Sequence, residues 1–352
     1  GGLGPTYDDM TKQIVCEAFG LGLEFHPEIV EEIRHYFDTV FRREMPACNL
    51  QQAYLPRGCT VLHNPVGTAP GCIFETGGVT AVLLPHESRH LAEHELLPWL
   101  RAKSDETIVS HDLHVFGLTE PQVQEKLADL MDNAVNPSLA PYAKTGEVML
   151  RLTAKGESEA DCEERMASLF WDVRARLGDW LYAVDAPGLE GRVLQLLKER
   201  GLTFSAAESC TGGLIAKRIT DLSGASAVFR GGVVSYTNAV KAGVLGVPEE
   251  LLAQYTAVSG PVARAMAEGV RALTGSDLAV SVTGVAGPGP DDDGHPEGLV
   301  YAALTDGEHT WVRRLELGTG RGRIRVMAAH HAFDLLRRCL TQLPITEETE
   351  GE

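Results

Sequence analysis

The sequence predicts a multi-domain α/β protein of layered architecture, and three observations carry that prediction. Its 352 residues exceed the usual size of one compact domain, so two or three units are expected. A hydrophobic content of 44% is enough to fill several cores. Apolar stretches of strand length alternate with stretches of helical periodicity, the pattern of sheets covered by helices.

The element pattern falls into three parts. In the first, Asp8 and Asp9 sit in the predicted first turn of a helix running towards Cys16 and ending at Gly20. A second amphipathic helix is predicted over Ile29 to Phe41. Short strands follow at Thr60–His63, Cys72–Glu75 and Val79–Leu84, with PVGTAPG as the turn between the first two. From about Glu106 to Asp185 the pattern reads strand, helix, strand, helix, strand. Its strands lie near Ile108–Phe116, Val148–Thr153 and Trp180–Val184, and its helices at Pro121–Met131 and Glu157–Arg176. This part has neither a GXXG clamp nor a run of basic and aromatic residues, so it reads as a structural connector.

The third part repeats the alternation at larger scale. A helix at Leu189–Arg200 leads to a strand at Thr203–Ala207, the loop ESCTGG and a helix at Leu214–Thr220. A strand at Gly232–Tyr236, a helix at Val262–Leu273, strands at Leu278–Val282, Leu299–Leu304 and Thr310–Leu317, and a helix at Ile324–Leu340 complete it. Working loops are expected at the strand ends.

Composition restricts the partners. A formal net charge of −18 opposes non-specific binding to nucleic acid, whose phosphates need clustered Lys and Arg. No apolar run reaches the length of a membrane span, and no signal peptide opens the chain. The seven cysteines are scattered, odd in number and never spaced CxxC, which fits reduced thiols in a cytoplasm. The chain opens on GGLGPTYDD without methionine, and its first glycines read as loop interior, so the start is expected upstream.

ESCTGG (Glu208 to Gly213) is the most informative segment. At a strand–helix junction, backbone N–H groups and the helix dipole favour an anion, either a substrate phosphate or a developing oxyanion. Gly212 and Gly213 allow close backbone approach, while Ser209 and Thr211 offer hydroxyls. The same residues also read as a plain turn whose small polar side chains cap the helix. VVSYTNAVK ends a strand with Tyr236, Asn238 and Lys241. A lysine can deprotonate a serine only if burial lowers its pKa, and the apolar residues around Lys241 suit such burial. SVTGVAGPG supplies a further Gly-rich strand end, in which Thr283 and Gly284 offer substrate contacts or an oxyanion donor.

Together these segments resemble the CinA (competence/damage-inducible) family. AAESCTGG, SYTNAVK, AVSGPVARAMAEG and SVTGVAGPG stand in the family's order from residue 186 to about 340. The resemblance implies a PncC-like amidase domain over 186–345 that hydrolyses the carboxamide of nicotinamide mononucleotide to nicotinic acid mononucleotide and ammonia, without a cofactor. It implies Ser209 as nucleophile, Lys241 as its base and Tyr236 as a supporting hydrogen-bond partner. Thr211, Gly212, Gly213, Asn238, Thr283, Gly284 and Arg325 would surround the substrate. Arg321, Arg323 and Arg325 suit a phosphate by charge-assisted bonds. Cys210 is a rival nucleophile, but no histidine lies in the loop to activate it, so Ser209 is preferred.

GGLGPTYDD and NPVGTAPG likewise resemble the family's MoCF (molybdopterin-binding-like) domain, here over 1–103, lacking its first strands and carrying LPHES at Leu84 to Ser88 in place of LPGxPSEM. Residues 104–185 then form a small KH-like connector. For the first domain the resemblance implies an ADP-ribose pyrophosphatase, with Asp8 and Asp9 on a divalent cation. A homo-oligomer is expected. A third reading is a non-catalytic nucleotide-binding protein of competence or DNA-damage responses. Two metal-like motifs are disfavoured. His86-Glu87-Ser88-Arg89-His90 matches HExxH, with His94 four residues on, but follows a strand and lacks the metzincin continuation. DDDGHPE (Asp291 to Glu297) reads as an exposed turn.

Overall fold

The computed structural model describes residues 2–86, 88–103 and 106–345. Within these, the chain forms two compact units that meet between Thr107 and Ile108.

The first unit contains helix α1 (Thr11–Ala18), strand β1 (Leu23–Phe25), helix α2 (Pro27–Tyr36), and strands β2 (Tyr54–Pro56), β3 (Thr60–Leu62), β4 (Gly71–Thr76) and β5 (Val79–Leu83). The short helices α3 (Arg89–Leu91) and α4 (Leu97–Arg101) end it. β1 pairs antiparallel with β2, and β3-β4-β5 form an antiparallel meander. The predicted helix from Asp8 begins only at Thr11 and has no acidic residue in its first turn. Asp9 instead closes the preceding turn, accepting hydrogen bonds from the Thr6 amide at 2.9 Å and the Thr6 hydroxyl at 2.6 Å. β1 and β2, three residues each, carry too little pattern to be predicted.

The second unit opens with the four-stranded sheet β7-β8-β6-β9, built from β6 (Thr107–Val115), β7 (Ser138–Lys144), β8 (Glu147–Gly156) and β9 (Leu181–Val184). Helices α5 (Glu120–Asn133) and α6 (Glu159–Leu177) cover one face, burying Val123, Leu127, Met166 and Val173 against Leu113, Val115, Leu150 and Leu152. β7 was not predicted. It is an edge strand containing Pro141, which lacks an amide to donate and hides the strand signal.

The rest of this unit is a three-layer domain. Helix α7 (Leu189–Arg200), β10 (Phe204–Glu208), α8 (Leu214–Thr220), β11 (Phe229–Val234), α9 (Asn238–Leu245), α10 (Glu249–Tyr255), α11 (Gly260–Thr274), β12 (Leu278–Gly284), β13 (Leu299–Thr305), β14 (Thr310–Glu316) and α12 (Arg321–Thr341) follow in order. The sheet order is β11-β10-β12-β13-β14, with the first three strands parallel and β13 and β14 antiparallel. Side chains alternate between two cores, as the period of two requires. Phe204, Ala206, Val280, Val282 and Val300 pack with α7, α8 and α12. Ala207 and Ala279 face Val262, Met266 and Val270 of α11. From β10 the chain passes through α8 to β11 on one side, then returns to β12 on the other. The carboxyl end of β10 is therefore a topological switch point, where open α/β sheets place their ligands.

The connector and this domain share one apolar cluster, since Phe116 and Tyr182 belong to the core that contains α7 and α12. Burial there, reinforced by nearby cations, holds His330 down to about 3 and His331 to about 4. Both histidines are therefore neutral when folded, and between about 4 and 6.5 the unfolded chain binds more protons. They stabilise the fold above 6.5, and that contribution is lost as pH falls, by about 1.4 kcal/mol per pH unit for each fully effective site. Glu147, raised by burial, opposes this slope. Melting curves between pH 7 and pH 4.5 check it: the wild-type chain should lose stability more steeply than His331→Gln, and parallel curves would contradict the assignment.

Candidate active site

The site is built at the end of β10, whose five residues are all buried. The next residues turn sharply, with Gly212 at φ 59° and Gly213 at φ 92°, left-handed values that favour glycine. Gly212 donates its amide back to the Ser209 carbonyl at 3.1 Å, closing the turn. The Ser209 amide donates to the Val282 carbonyl at 2.9 Å, tying the loop to the neighbouring strand β12.

Glu208 has a role that its sequence position did not reveal. It is 1% exposed, and its carboxylate accepts the amides of Gly213 and Ile215 at 3.0 Å and of Ala216 at 2.9 Å. A buried carboxylate thus caps the N-terminus of α8 from the strand before it. This corrects the expectation that the helix end would receive a substrate anion: the protein's own anion occupies it. It also means that Gly212 and Gly213 spend their amides inside the turn. The cap lies outside the usual serine-to-glutamate spacing of a capping box, so pattern reading passes over it.

Opposite the turn, Thr237 caps α9 by accepting the Val240 amide at 3.4 Å. One turn later Lys241, 1% exposed, sends its side chain back to the loop. Its Nζ lies 3.2 Å from Ser209 Oγ and 2.7 Å from the Ser235 carbonyl. Burial lowers the Lys241 pKa, with the Cys210 thiol acting weakly the other way. Cys210 is buried, and desolvation first, with the Glu208 carboxylate adding to it, pushes its thiol up to about 12. A thiol held protonated is a poor nucleophile, which favours Ser209 over its neighbour.

The other predicted residues divide. Thr211 is fully buried beside Ser209, and its Oγ1 has no hydrogen-bond partner. Its carbonyl accepts from Arg325 Nη2 at 2.7 Å. Tyr236 is 58% exposed, and its hydroxyl is engaged by Arg321 Nη2 at 3.3 Å rather than by Ser209 or Lys241. Asn238 is exposed as the first residue of α9. Thr283 donates its hydroxyl to the Ala257 carbonyl at 2.7 Å, a structural bond that takes it away from the loop. Gly284 is explained by packing, because a Cβ there would lie 2.6 Å from the Leu299 carbonyl of β13. Arg323 donates to the Leu317 carbonyl. Ser235, which drew no notice in the sequence, is fully buried with an unpartnered hydroxyl.

Of Asp8 and Asp9, the pair expected to hold a cation, Asp9 accepts the Thr6 amide and hydroxyl, and a set of three or more metal-type ligands gathers elsewhere. Among the described residues the only group of three or more metal-type ligands is Asp291, Asp293 and His295. That set closes a turn on itself, with Asp291 Oδ1 accepting the amides of Asp293 at 3.1 Å and His295 at 2.8 Å. In the HExxH stretch, α3 starts only at Arg89, so His86 precedes the helix, while the His90 and His94 rings lie 4.2 Å apart and tilted by 52°. Glu87 lies outside the described residues. No helix among the described residues is long and apolar enough to cross a membrane.

Fold and site together define an α/β protein whose last domain carries a buried serine–lysine pair at a strand–helix turn. Three family models match successive stretches of the chain. The model "CinA C-terminal domain" matches residues 187–340, "Damage-inducible protein CinA KH domain" matches 110–183, and "Probable molybdopterin binding domain" matches 1–102. A CinA-like protein of Desulfovibrio desulfuricans is 44% identical over 98% of this chain and 82% of its own length. Another from Kosmotoga olearia is 41% identical over 97% of this chain and 84% of its own. The crystal structure of the competence/damage inducible protein CihA from Agrobacterium tumefaciens is 39% identical, covering 45% of this chain and 98% of that one with a TM-score of 0.42. The chain belongs to the CinA family.

Removing the Glu208 carboxylate leaves one buried and two partly buried amides unsatisfied, so Glu208→Ala should cost about 3 kcal/mol. Chemical denaturation measures it. Cys210→Ser should change stability by less than Glu208→Ala, and the opposite order would show that the carboxylate is dispensable to the turn.

Proposed function

We propose that residues 186–345 are an amidase domain that hydrolyses the carboxamide of nicotinamide mononucleotide to nicotinic acid mononucleotide and ammonia. The observation that carries the reading is the buried contact of Lys241 Nζ with Ser209 Oγ at 3.2 Å. A neutral amine has two N–H groups and one lone pair. Donating to the Ser235 carbonyl, it keeps the lone pair for the Ser209 hydroxyl. The Ser209 proton passes to Lys241 as Oγ attacks the carboxamide carbon, and the carbonyl oxygen becomes the oxyanion. The resulting Lys241 ammonium protonates the departing nitrogen, which leaves as ammonia. Water, deprotonated by the regenerated amine, then hydrolyses the acyl ester and releases the carboxylate and Ser209.

With the α8 amides held by Glu208, the Thr211 hydroxyl is the side-chain donor beside the nucleophile that still lacks a partner, and it is assigned to the oxyanion. Tyr236 and Arg321, joined at the mouth of the site, are assigned to the substrate's ribose phosphate together with Arg325. The choice of nucleotide rests on the resemblance of the four segments described above, and the serine chemistry rests on the geometry. Residues 1–103 and 104–185 are assigned as the MoCF-like domain and the connector, and no cation-dependent step is assigned to Asp8 or Asp9.

Ser209→Ala should lower ammonia release by about 10⁴–10⁶-fold, Lys241→Met comparably, and the double variant little further, since the pair acts as one unit. A nearly active Ser209→Ala enzyme beside an inert Cys210→Ser enzyme would move the nucleophile by one residue. The lowered Lys241 pKa also sets a direction: kcat/KM should rise with pH as the amine loses its proton and level off below the ordinary lysine value. Treatment with EDTA should leave turnover unchanged. Loss of turnover in EDTA, restored by zinc, would replace the serine–lysine scheme with a metal-dependent one.

A further inference from the structure

The turn between β7 and β8 of the connector seats on α12. Gly146 has φ +86°, and a Cβ there would meet Met327 Sδ at 2.6 Å and His330 Nδ1 at 2.7 Å, so only glycine lets the turn approach so closely. The next residue, Glu147, is nearly buried. It accepts the Tyr182 hydroxyl at 2.7 Å and faces His330 Nε2 at 3.8 Å. Beside it Arg218 of α8 pairs with Glu190 and lies 5.1 Å over the Phe333 ring of α12. The turn therefore rests where α8 and α12 meet.

Both helices reach the candidate site through their N-terminal parts. α8 starts from the ESCTGG turn and is capped by Glu208. α12 carries Arg325, which holds the Thr211 carbonyl at 2.7 Å, and His330 follows five residues later, about 7.5 Å along the helix. Each helix therefore joins the junction to the loop that bears Ser209.

We propose that Gly146 and Glu147 are positioning residues for the C-terminal site: seated against His330 and Met327, they fix α12 and α8 and thereby the register of Ser209 and Thr211 against Lys241. The proposal deepens the amidase reading and rests on it for its kinetic consequence. Its structural consequence, tighter closure of the 208–216 turn, does not depend on the reaction. The buried charges at this junction make it sensitive to removal of one member, because Arg218 Nη1 and His330 Nδ1 already lack partners.

The test compares the full chain with its Glu147→Ala, Glu147→Gln and Gly146→Val variants. Amide hydrogen exchange of residues 209–216 should speed up about tenfold in Glu147→Ala and Gly146→Val, while β12 and β13 stay protected. With nicotinamide mononucleotide as substrate, kcat should fall about tenfold with KM within twofold, and Glu147→Gln, which still accepts the Tyr182 hydroxyl, should recover most of it. Unchanged exchange and unchanged kcat in variants whose 144–147 turn is loosened would overturn the proposal. A full fall in Glu147→Gln would overturn the role given to the Tyr182 bond. Should Gly146→Val fail to fold, Glu147→Ala, which adds no atoms, carries the test alone. A wild-type chain inert towards the nucleotide would count against the amidase reading only, because exchange still decides the coupling.

Discussion

Burying a lysine side chain costs the solvation of its cation, and a protein tolerates it only where the amine finds partners or sheds its proton. At 1% exposure, Lys241 is satisfied by the Ser235 carbonyl and the Ser209 hydroxyl, and burial tilts it towards the neutral form. The neighbouring features follow from this constraint. α9 must be apolar enough to enclose the lysine stem, and Thr237 must start the helix where the side chain can turn back to the loop. Ser209 stands at the end of a fully buried strand, so its lysine partner is held away from water. Cys210, in the same dry surroundings, is driven the opposite way into its protonated form.

A second buried charge fixes the other side of the pair. The Glu208 carboxylate binds three amides of the turn and of α8, so the helix that would otherwise attract a substrate anion is already neutralised. The polar groups left facing the loop are side chains: a serine, a lysine and the unpartnered Thr211 hydroxyl. Arg325 links that loop to α12, whose middle is gripped by the connector. The arrangement makes the site a local feature of one switch point while its precision depends on packing that extends into the preceding module.

Much of this was legible in the sequence. Gly212 and Gly213 marked a loop of close backbone approach, the apolar flank of Lys241 marked burial, and the interleaved strands and helices of the last domain marked a layered α/β fold. The edge strand β7 escaped because Pro141 interrupts its pattern, and β1 and β2 because three residues carry no periodicity. Side-chain destinations were harder. Nothing in SYTNAVK tells that Tyr236 faces solvent and meets Arg321. Nothing in TYDD tells that Asp9 would be spent on a threonine three residues earlier. Thr283 and Gly284 looked like ligand contacts because small polar residues at a strand end serve packing and binding equally well. Glu208 went unread because its three partners lie five to eight residues ahead, a reach set by the turn's geometry rather than by any spacing rule.

Burial is expected to leave Lys241 a neutral amine beside Ser209. Nuclear magnetic resonance titration of the full chain, with its lysine side chains isotopically labelled and the Lys241 signal assigned through Lys241→Met, measures that protonation state without any substrate. A lysine signal titrating below the ordinary value, and absent from the variant, is the expected result. A Lys241 signal titrating at the ordinary value would show that the side chain stays an ammonium ion at neutral pH, and the serine would then have no base.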